Sequence, residues 1–322
     1  MADATLLRGL SEIRKTNAAA VASGEIHQLT DGRAGVYTGL NASGLGDVSN
    51  WTTFGQFTVT KTASVVIVDG GEVWWDHSAN AATFRKVSDR DFYLGRAIGD
   101  AASAATTVVV DLNVLPRADI DLARDGFQSV LVGTAAAGAF GYPVNLGGAL
   151  VFELTATNEA QKVDALSVDG FALAANAIVD GAFRVLSDGA GTVVDVSIGI
   201  ASATHASDAD SIAESVFLHL DANNANINAE SDDGTTEVAA TDTTTDYTEG
   251  SAIASRVHFT MDMRDPASVK IYVNGVRVLS GSTFNIAAAA GPLFLLVHVE
   301  KSVSTDTYKL AIDWLKVRFA EQ

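Results

Sequence analysis

Cysteine is absent from this 322-residue chain, and only four residues are proline. The lack of cysteine excludes disulfide bonds, thiolate nucleophiles and cysteine-based zinc or iron–sulfur sites. No uninterrupted apolar run approaches the roughly 18 to 20 residues that a membrane-spanning helix needs. Near the amino terminus Arg8, Glu12 and Arg14 interrupt the apolar residues, so we expect neither a signal peptide nor a membrane anchor.

Basic residues are also scarce. Lys and Arg together number 21 against 39 Asp and Glu, a formal net charge of −18, and neither occurs between Val185 and Ser255. Such a surface repels phosphate backbones, so we do not expect the protein to bind nucleic acid. Apolar residues are plentiful at 48 %, and the mean hydropathy is +0.20. This composition is typical of a folded globular protein.

The length predicts two domains. Polar residues from Pro116 to Gly126 and a Gly- and Ala-rich stretch from Gly133 to Gly148 mark the boundary region. We therefore predict an N-terminal arm (1–20), a first domain (21–120) and a second domain (121–322). In the arm, Leu6, Leu10 and Ile13 have helical spacing, which indicates a short amphipathic helix or a frayed terminus.

Short apolar runs separated by Gly, Asn and Asp predict an all-β fold in both domains. The first domain is expected to be a small β-barrel, or β-tulip-like open sheet, with strands at 56–60, 64–68, 72–76, 92–98 and 106–112. The second is expected to be an antiparallel β-sandwich, or jelly roll. Its predicted strands are 128–132, 149–156, 182–186, 192–200, 214–220, 256–263, 268–273, 293–299 and 308–319. The Thr- and Asp-rich stretch Ser231–Gly250 is expected to be a surface loop or disordered.

The sequence contains no motif for nucleotide binding, a nucleophile elbow or a zinc protease. Of the six histidines, His258 and His298 lie in apolar strands, where a structural role is expected. Acidic groups occur at Asp208–Asp210, Asp221–Asn224 and Asp232–Gly234, but none has the spacing of an EF-hand loop, so we expect solvated acidic loops, with a bound calcium ion as the alternative. We therefore predict no catalytic residue, metal or cofactor, although paired carboxylates of a glycoside hydrolase leave no mark in sequence.

Two adjacent tryptophans, Trp74 and Trp75, stand before Asp76 and His77. Neighbouring residues of a strand point to opposite faces, so one ring can enter the core while the other meets a neighbouring loop or subunit. We interpret the group as structural rather than catalytic.

Four segments resemble a family of small phage proteins, those with the domain of unknown function numbered 2190. They are Phe57–Lys61, Gly71–Asn80, Asp89–Asp100 and Thr106–Asn113, in a match that covers roughly residues 20 to 113. The family is associated with capsid decoration, and its fold resembles head-stabilising cement proteins. The second domain is similar in pattern to concanavalin-like jelly rolls, especially in the closing strand Leu310–Phe319.

This resemblance implies a capsid decoration protein that binds the major capsid protein, usually as a homotrimer, on the outer surface of the virion. We expect it to be made in the host cytoplasm, with the second domain facing outward. The candidate capsid or subunit contacts are Leu6, Leu7, Leu10, Ile13, Trp74 and Trp75. The alternatives are a carbohydrate-binding module or phage adhesin, in which the second domain binds a glycan, and a glycan-active enzyme.

Overall fold

The computed structural model describes residues 12–136 and 148–320. The chain divides into two compact units, Met1–Arg117 and Ala118–Gln322. Both consist of antiparallel sheets, so the predicted all-β fold class is confirmed. Within the described ranges, no helix has the length and apolar character needed to cross a membrane.

The N-terminal unit begins with a four-stranded sheet in the order β1-β4-β3-β2. Its strands are β1 (Glu12–Thr16), β2 (Ile26–Gln28), β3 (Ala34–Tyr37) and β4 (Val48–Thr52). The prediction of a helix through Ile13 is wrong for residues 12–16, because Ile13 pairs with Trp51 in β4. Leu6, Leu7 and Leu10 lie outside the described residues.

The second sheet of this unit has five strands in the order β5-β9-β8-β6-β7. They are β5 (Gln56–Thr60), β6 (Glu72–Asp76), β7 (Ala81–Thr83), β8 (Phe92–Ala97) and β9 (Thr107–Leu112). The strand predicted at 64–68 is wrong. Ser64 has a φ of 64°, which breaks an extended backbone, and only Ile67 forms an isolated bridge, to Ala101.

Among its described residues, the C-terminal unit contains one short helix, α1 (Leu122–Asp125), and two seven-stranded sheets. Its strands in chain order are β10 (Ile120–Asp121), β11 (Phe127–Gln128), β12 (Leu150–Leu154), β13 (Glu159–Ser167), β14 (Ala177–Ser187), β15 (Val194–Ala201), β16 (Glu214–Asp221), β17 (Asn226–Asp233), β18 (Glu237–Asp246), β19 (Val257–Asp262), β20 (Lys270–Val273), β21 (Val276–Arg277), β22 (Phe294–Ser304) and β23 (Tyr308–Phe319). Short 3-10 turns occur at Gly133–Ala136, Leu173–Ala175, Ala209–Ser211 and Ile253–Ser255.

The two sheets enclose one apolar core. The first runs β10-β23-β14-β19-β20-β21, with β12 also paired to β23, and the second runs β11-β13-β22-β15-β16-β17-β18. Phe183 and Leu310 of the first sheet share the core with Ile198, Leu218 and Val297 of the second. Alternate residues of each strand therefore point inward, as in a two-layer sandwich, and the intervening residues lie on the outer faces.

Several details of the C-terminal unit differ from the sequence prediction. The strand predicted at 128–132 is wrong beyond Gln128, where β11 ends, and β13 was not predicted. Ser231–Gly250 is not a loop, because β17 extends to Asp233 and Glu237–Asp246 forms the edge strand β18. Its residues are mostly exposed, so the stretch lacks the apolar alternation that predicts a strand. Ile120, which we assigned to the first domain, pairs with Val317 in β23 and so belongs to the second unit.

Candidate functional site

The two adjacent tryptophans point to opposite faces of β6. Trp75 packs against the N-terminal core on the side of Val73. Trp74 lies on the other face, where its ring meets Tyr93 edge-on with a centroid distance of 5.5 Å and its Nε1 donates to Glu72 at 3.1 Å. Both rings are half-buried. A further contact of Trp74 with capsid or another subunit remains a prediction.

The carboxylates next to the tryptophans hold turns. Asp76 accepts hydrogen bonds from the backbone N–H of Ser78 and Ala79 and from the Ser78 hydroxyl. Asp91 accepts from the backbone N–H of His77 at 3.0 Å and from those of two further residues. Burial alone would raise the pKa of Asp91, but these donors hold that pKa below its ordinary value. Both carboxylates are thus occupied by local structure.

The N-terminal unit exposes large apolar side chains between residues 40 and 54. Leu40 is 99 % exposed and Phe54 is 65 % exposed, and Leu45 and Val48 are also largely exposed. We call these four residues the 40–54 segment. Ile13, by contrast, packs against the small cluster around Trp51. The 40–54 segment could not be predicted from the sequence, because an exposed and a buried leucine look alike there.

The outer face of the second sheet in the C-terminal unit carries a group of ionisable side chains, which we call the His219 cluster. It consists of His219, Asp195, Asp210, Asp221 and Glu230. Asp195 is in β15, His219 and Asp221 are in β16, and Glu230 is in β17. Their strand neighbours fill the core, so period-two alternation sends these side chains outward. Asp210 arrives from the 3-10 turn at Ala209–Ser211.

His219 is the centre of the cluster. Its Nδ1 lies 3.3 Å from Asp210 Oδ1 and 3.6 Å from Glu230 Oε1. Its Nε2 lies 3.3 Å from Asp221 Oδ1 and 3.5 Å from Asp195 Oδ1. The imidazole and the Glu230 side chain are buried, whereas Asp210 and Asp221 are half-exposed. Four carboxylates therefore surround one imidazole.

The pKa values show an excess of negative charge in this cluster. Burial raises the pKa of Asp195 to about 7; His219 opposes this increase and the neighbouring carboxylates add to it. Burial also raises the pKa of Glu230. Burial alone would lower the pKa of His219, but the surrounding carboxylates raise it to about 12, and His219 in turn lowers the pKa of Asp210. The cluster thus favours a positive charge at its centre.

The loop at residues 202–213 is fixed to the same sheet beside the cluster. Ala209 and Ile212 pack on Phe217 in a small apolar group. Lys162 is fully buried in β13; its Nζ donates to the carbonyl of His205 at 2.6 Å and to Asp164 Oδ2 at 3.1 Å. Asp164 also accepts from the hydroxyl of Thr204 and from the Val130 N–H at 2.6 Å. These contacts hold the loop that presents Asp210.

The outer face of the first sheet is occupied by an ion-pair network. Asp313 accepts from Arg184 at 2.7 Å and from Arg256 at 2.9 Å. Trp314 is half-buried there, with the Arg256 guanidinium 5.2 Å from its ring centroid and His258 against its edge. The strand of Trp314 contributes to the core, but the ring itself lies on the outer face.

The buried histidine His298 lies on the outer face of the second sheet. Its Nε2 is 2.9 Å from Glu300 Oε2, in the same strand β22. The acidic residues that the sequence analysis assigned to solvated loops are distributed differently. Asp208 caps the 3-10 turn by accepting from the Asp210 N–H, while Asp221 and Asp233 are the last residues of strands.

Comparison with known proteins gives a match for the N-terminal unit. Residues 8–112 match the family model described as phage cement protein. No curated protein matches the chain. The match spans about a third of the chain, and it includes the segments that carry the resemblance seen in the sequence, except for Asn113 at the end of the fourth.

Solved structures resemble the chain only remotely. The potassium-bound Emp46p carbohydrate recognition domain has 11 % identity and a TM-score of 0.39, over 61 % of this chain and 90 % of that chain. LamAcat from Zobellia galactanivorans has 13 % identity and a TM-score of 0.37, over 54 % and 78 % of the two chains. A GH16 protein of Bacteroides ovatus has 8 % identity and a TM-score of 0.36, over 60 % and 85 %.

Likenesses this remote carry no argument about function. The family match stands on its own, and it confirms the resemblance drawn from the sequence. Over residues 8–112, the chain is similar to the phage cement protein family.

Proposed function

We propose that this protein decorates bacteriophage capsids, with the N-terminal unit bound to the major capsid protein on the outside of the head. The observation that carries the proposal is the match of residues 8–112 to the phage cement protein family. A cement protein stabilises the head by burying surface across the joints between capsid subunits. Outward pressure from packaged DNA must then break these contacts before the shell opens, and no reaction is required.

The 40–54 segment is the part of the described N-terminal unit best suited to such an interface. Its exposed leucine and phenylalanine side chains have apolar surface still in contact with water. Burying one such side chain fully contributes roughly 1.5 to 3 kcal/mol. A few residues usually carry most of the binding energy of a protein interface. Leu6, Leu7, Leu10, Ile13 and Trp74 complete the proposed contacts with capsid or with a second subunit.

The rest of the proposal concerns assembly and location. We propose a homotrimer on the virion surface, made in the host cytoplasm, with the C-terminal unit facing outward. The charge of the C-terminal unit supports an outward position, because residues 185–255 contain no Lys or Arg. A strongly acidic surface remains soluble at the high local density of a decorated head.

Binding to undecorated phage heads tests the proposed interface. The double variant Leu40→Asp/Phe54→Asp places charge in the 40–54 segment, and we expect it to weaken binding at least tenfold. Val303→Asp is the matched control, since Val303 is an exposed apolar residue of the C-terminal unit. Circular dichroism should show that both variants are folded. Equal binding by the double variant and the wild type would exclude the 40–54 segment as the contact.

A further inference from the structure

We propose that the His219 cluster binds one divalent transition-metal cation, Mn²⁺ or Zn²⁺, through Asp195, Asp210 and His219. This site is distinct from the proposed capsid interface, because it lies in the C-terminal unit. The proposal rests on the positions of the donor atoms, on buried polar atoms without hydrogen-bond partners, and on the negative charge of the cluster.

The donor atoms converge. One ligand atom each of Asp195, Asp210 and His219 lies within 4.8 Å of the others. Bonds from zinc to nitrogen or oxygen are about 2.0 to 2.2 Å, so two ligands of one ion are separated by roughly 3 to 4.4 Å. The bound of 4.8 Å exceeds this range slightly, so the side chains must move closer together for all three to bind one ion.

Two buried atoms of the cluster have no hydrogen-bond partner among the described residues. They are His219 Nδ1 and Glu230 Oε1, in side chains that are more than nine-tenths buried. Carboxylate oxygens lie 3.3 and 3.6 Å from Nδ1, yet neither contact has hydrogen-bond geometry. Buried polar atoms are normally satisfied. A metal ion bound at Nδ1, the nitrogen that Asp210 and Glu230 approach, would satisfy the imidazole. Asp195 approaches Nε2 at 3.5 Å and would have to turn toward Nδ1 to join the same ion.

The negative charge of the cluster also favours a bound cation. Its carboxylates repel one another at these distances. No Lys or Arg occurs in residues 185–255, the stretch that supplies all five members. A divalent cation would neutralise more of this charge than one protonated imidazole can.

The donor types decide which cation is expected. Calcium takes six to eight oxygen ligands, whereas an imidazole ligand suits zinc and other transition metals and carboxylates suit manganese. A site with one imidazole and two or three carboxylates therefore favours Mn²⁺ or Zn²⁺ over Ca²⁺. Because Asp210 belongs to the 202–213 loop, the bound ion would tie that loop to β15 and β16.

Calorimetric titration of the full chain, after treatment with a chelator, tests the site. We expect MnCl₂ or ZnCl₂ to bind with a stoichiometry of one, and CaCl₂ to bind at least tenfold more weakly. Asp210→Asn should reduce the affinity at least tenfold. Asp210 is half-exposed, so this variant is expected to fold. Asp246→Asn, on the exposed edge strand β18, removes the same charge and should bind like the wild type.

A second measurement uses the wild type alone and so tests the site even if a variant fails to fold. In the wild type, saturating Mn²⁺ or Zn²⁺ should raise the melting temperature, and removing the ion should reverse the increase. The proposal is overturned if the wild type binds neither ion at millimolar concentration, in which case His219 is an imidazolium held by carboxylates. It is also overturned if Asp210→Asn binds as tightly as the wild type, or if Ca²⁺ binds most tightly.

Discussion

Replacing Lys162 with methionine is expected to destabilise the C-terminal unit strongly. The ammonium group of Lys162 and the carboxylate of Asp164 are each only 1 % exposed and lie 3.1 Å apart. In Lys162→Met the Asp164 carboxylate would keep its bonds from Val130 N–H and the Thr204 hydroxyl but lose its counter-charge. Removing one partner of a buried ion pair costs about 3 to 5 kcal/mol, because the other charge stays buried and uncompensated.

The double variant Lys162→Met/Asp164→Leu separates the ion pair from simple packing. It removes both buried charges, so its cost should be smaller than the sum of the two single variants by about 3 kcal/mol. Some cost remains, because Val130 N–H and the carbonyl of His205 lose partners.

Urea unfolding of the full chain, followed by circular dichroism, measures these differences. The control is Lys309→Met, whose partner Glu153 lies 2.9 Å away in a pair that is about 40 % exposed on both sides. An exposed pair of this kind contributes at most about 1 kcal/mol. The reasoning is refuted if the two single effects simply add in the double variant, or if Lys309→Met costs as much as Lys162→Met.

Two further predictions concern packing and pH. Gly199→Ala should destabilise the C-terminal unit by about 2 kcal/mol or more, because the new Cβ would lie 2.1 Å from the backbone oxygen of Val216. The control is Gly281→Ala, whose Cβ would meet no atom within 4 Å, and it should change the melting temperature little. The pKa of Asp91 in the folded protein lies below its ordinary value of 3.8. The ionised carboxylate therefore contributes its full stabilisation of the folded state above pH 3.8, and this stabilisation is lost as the pH falls through the folded pKa. Urea midpoints of the N-terminal unit should therefore drop below about pH 4, and Asp91→Asn should reduce that drop; an unchanged pH profile in Asp91→Asn would contradict this assignment.

Strands with strong alternation were predictable from sequence. Gln56–Thr60, Glu72–Asp76 and Tyr308–Phe319 begin and end where the pattern of apolar and polar residues predicted. Each has one face against a core, so the period-two signal is present in the sequence itself. The resemblance to cement proteins was also predictable, within the N-terminal unit, because it depends on continuous motifs.

Elements without an apolar face were not predictable in this way. Strand β18 is mostly exposed, and its threonines support extended backbone without marking a buried side. The segment at Ser64 has apolar residues but a left-handed φ that no local pattern indicates.

The His219 cluster could not be predicted from the sequence for a different reason. Asp208–Asp210 is recognisable as an acidic group, but Asp195 and Glu230 are 35 residues apart in the chain. Only the pairing of β15 with β16 and of β16 with β17 brings them to one imidazole. Charge offered the one available signal, since the cluster falls within the stretch that lacks Lys and Arg.

Co-sedimentation with phage heads that lack decoration tests the central claim most directly. Increasing amounts of the purified full chain would be mixed with such heads, and the protein in the pellet measured. The account predicts saturable binding, at a stoichiometry that matches symmetry axes of the capsid. A chain that stays in the supernatant at every concentration, while a known cement protein pellets with its own heads, would contradict a role in capsid decoration.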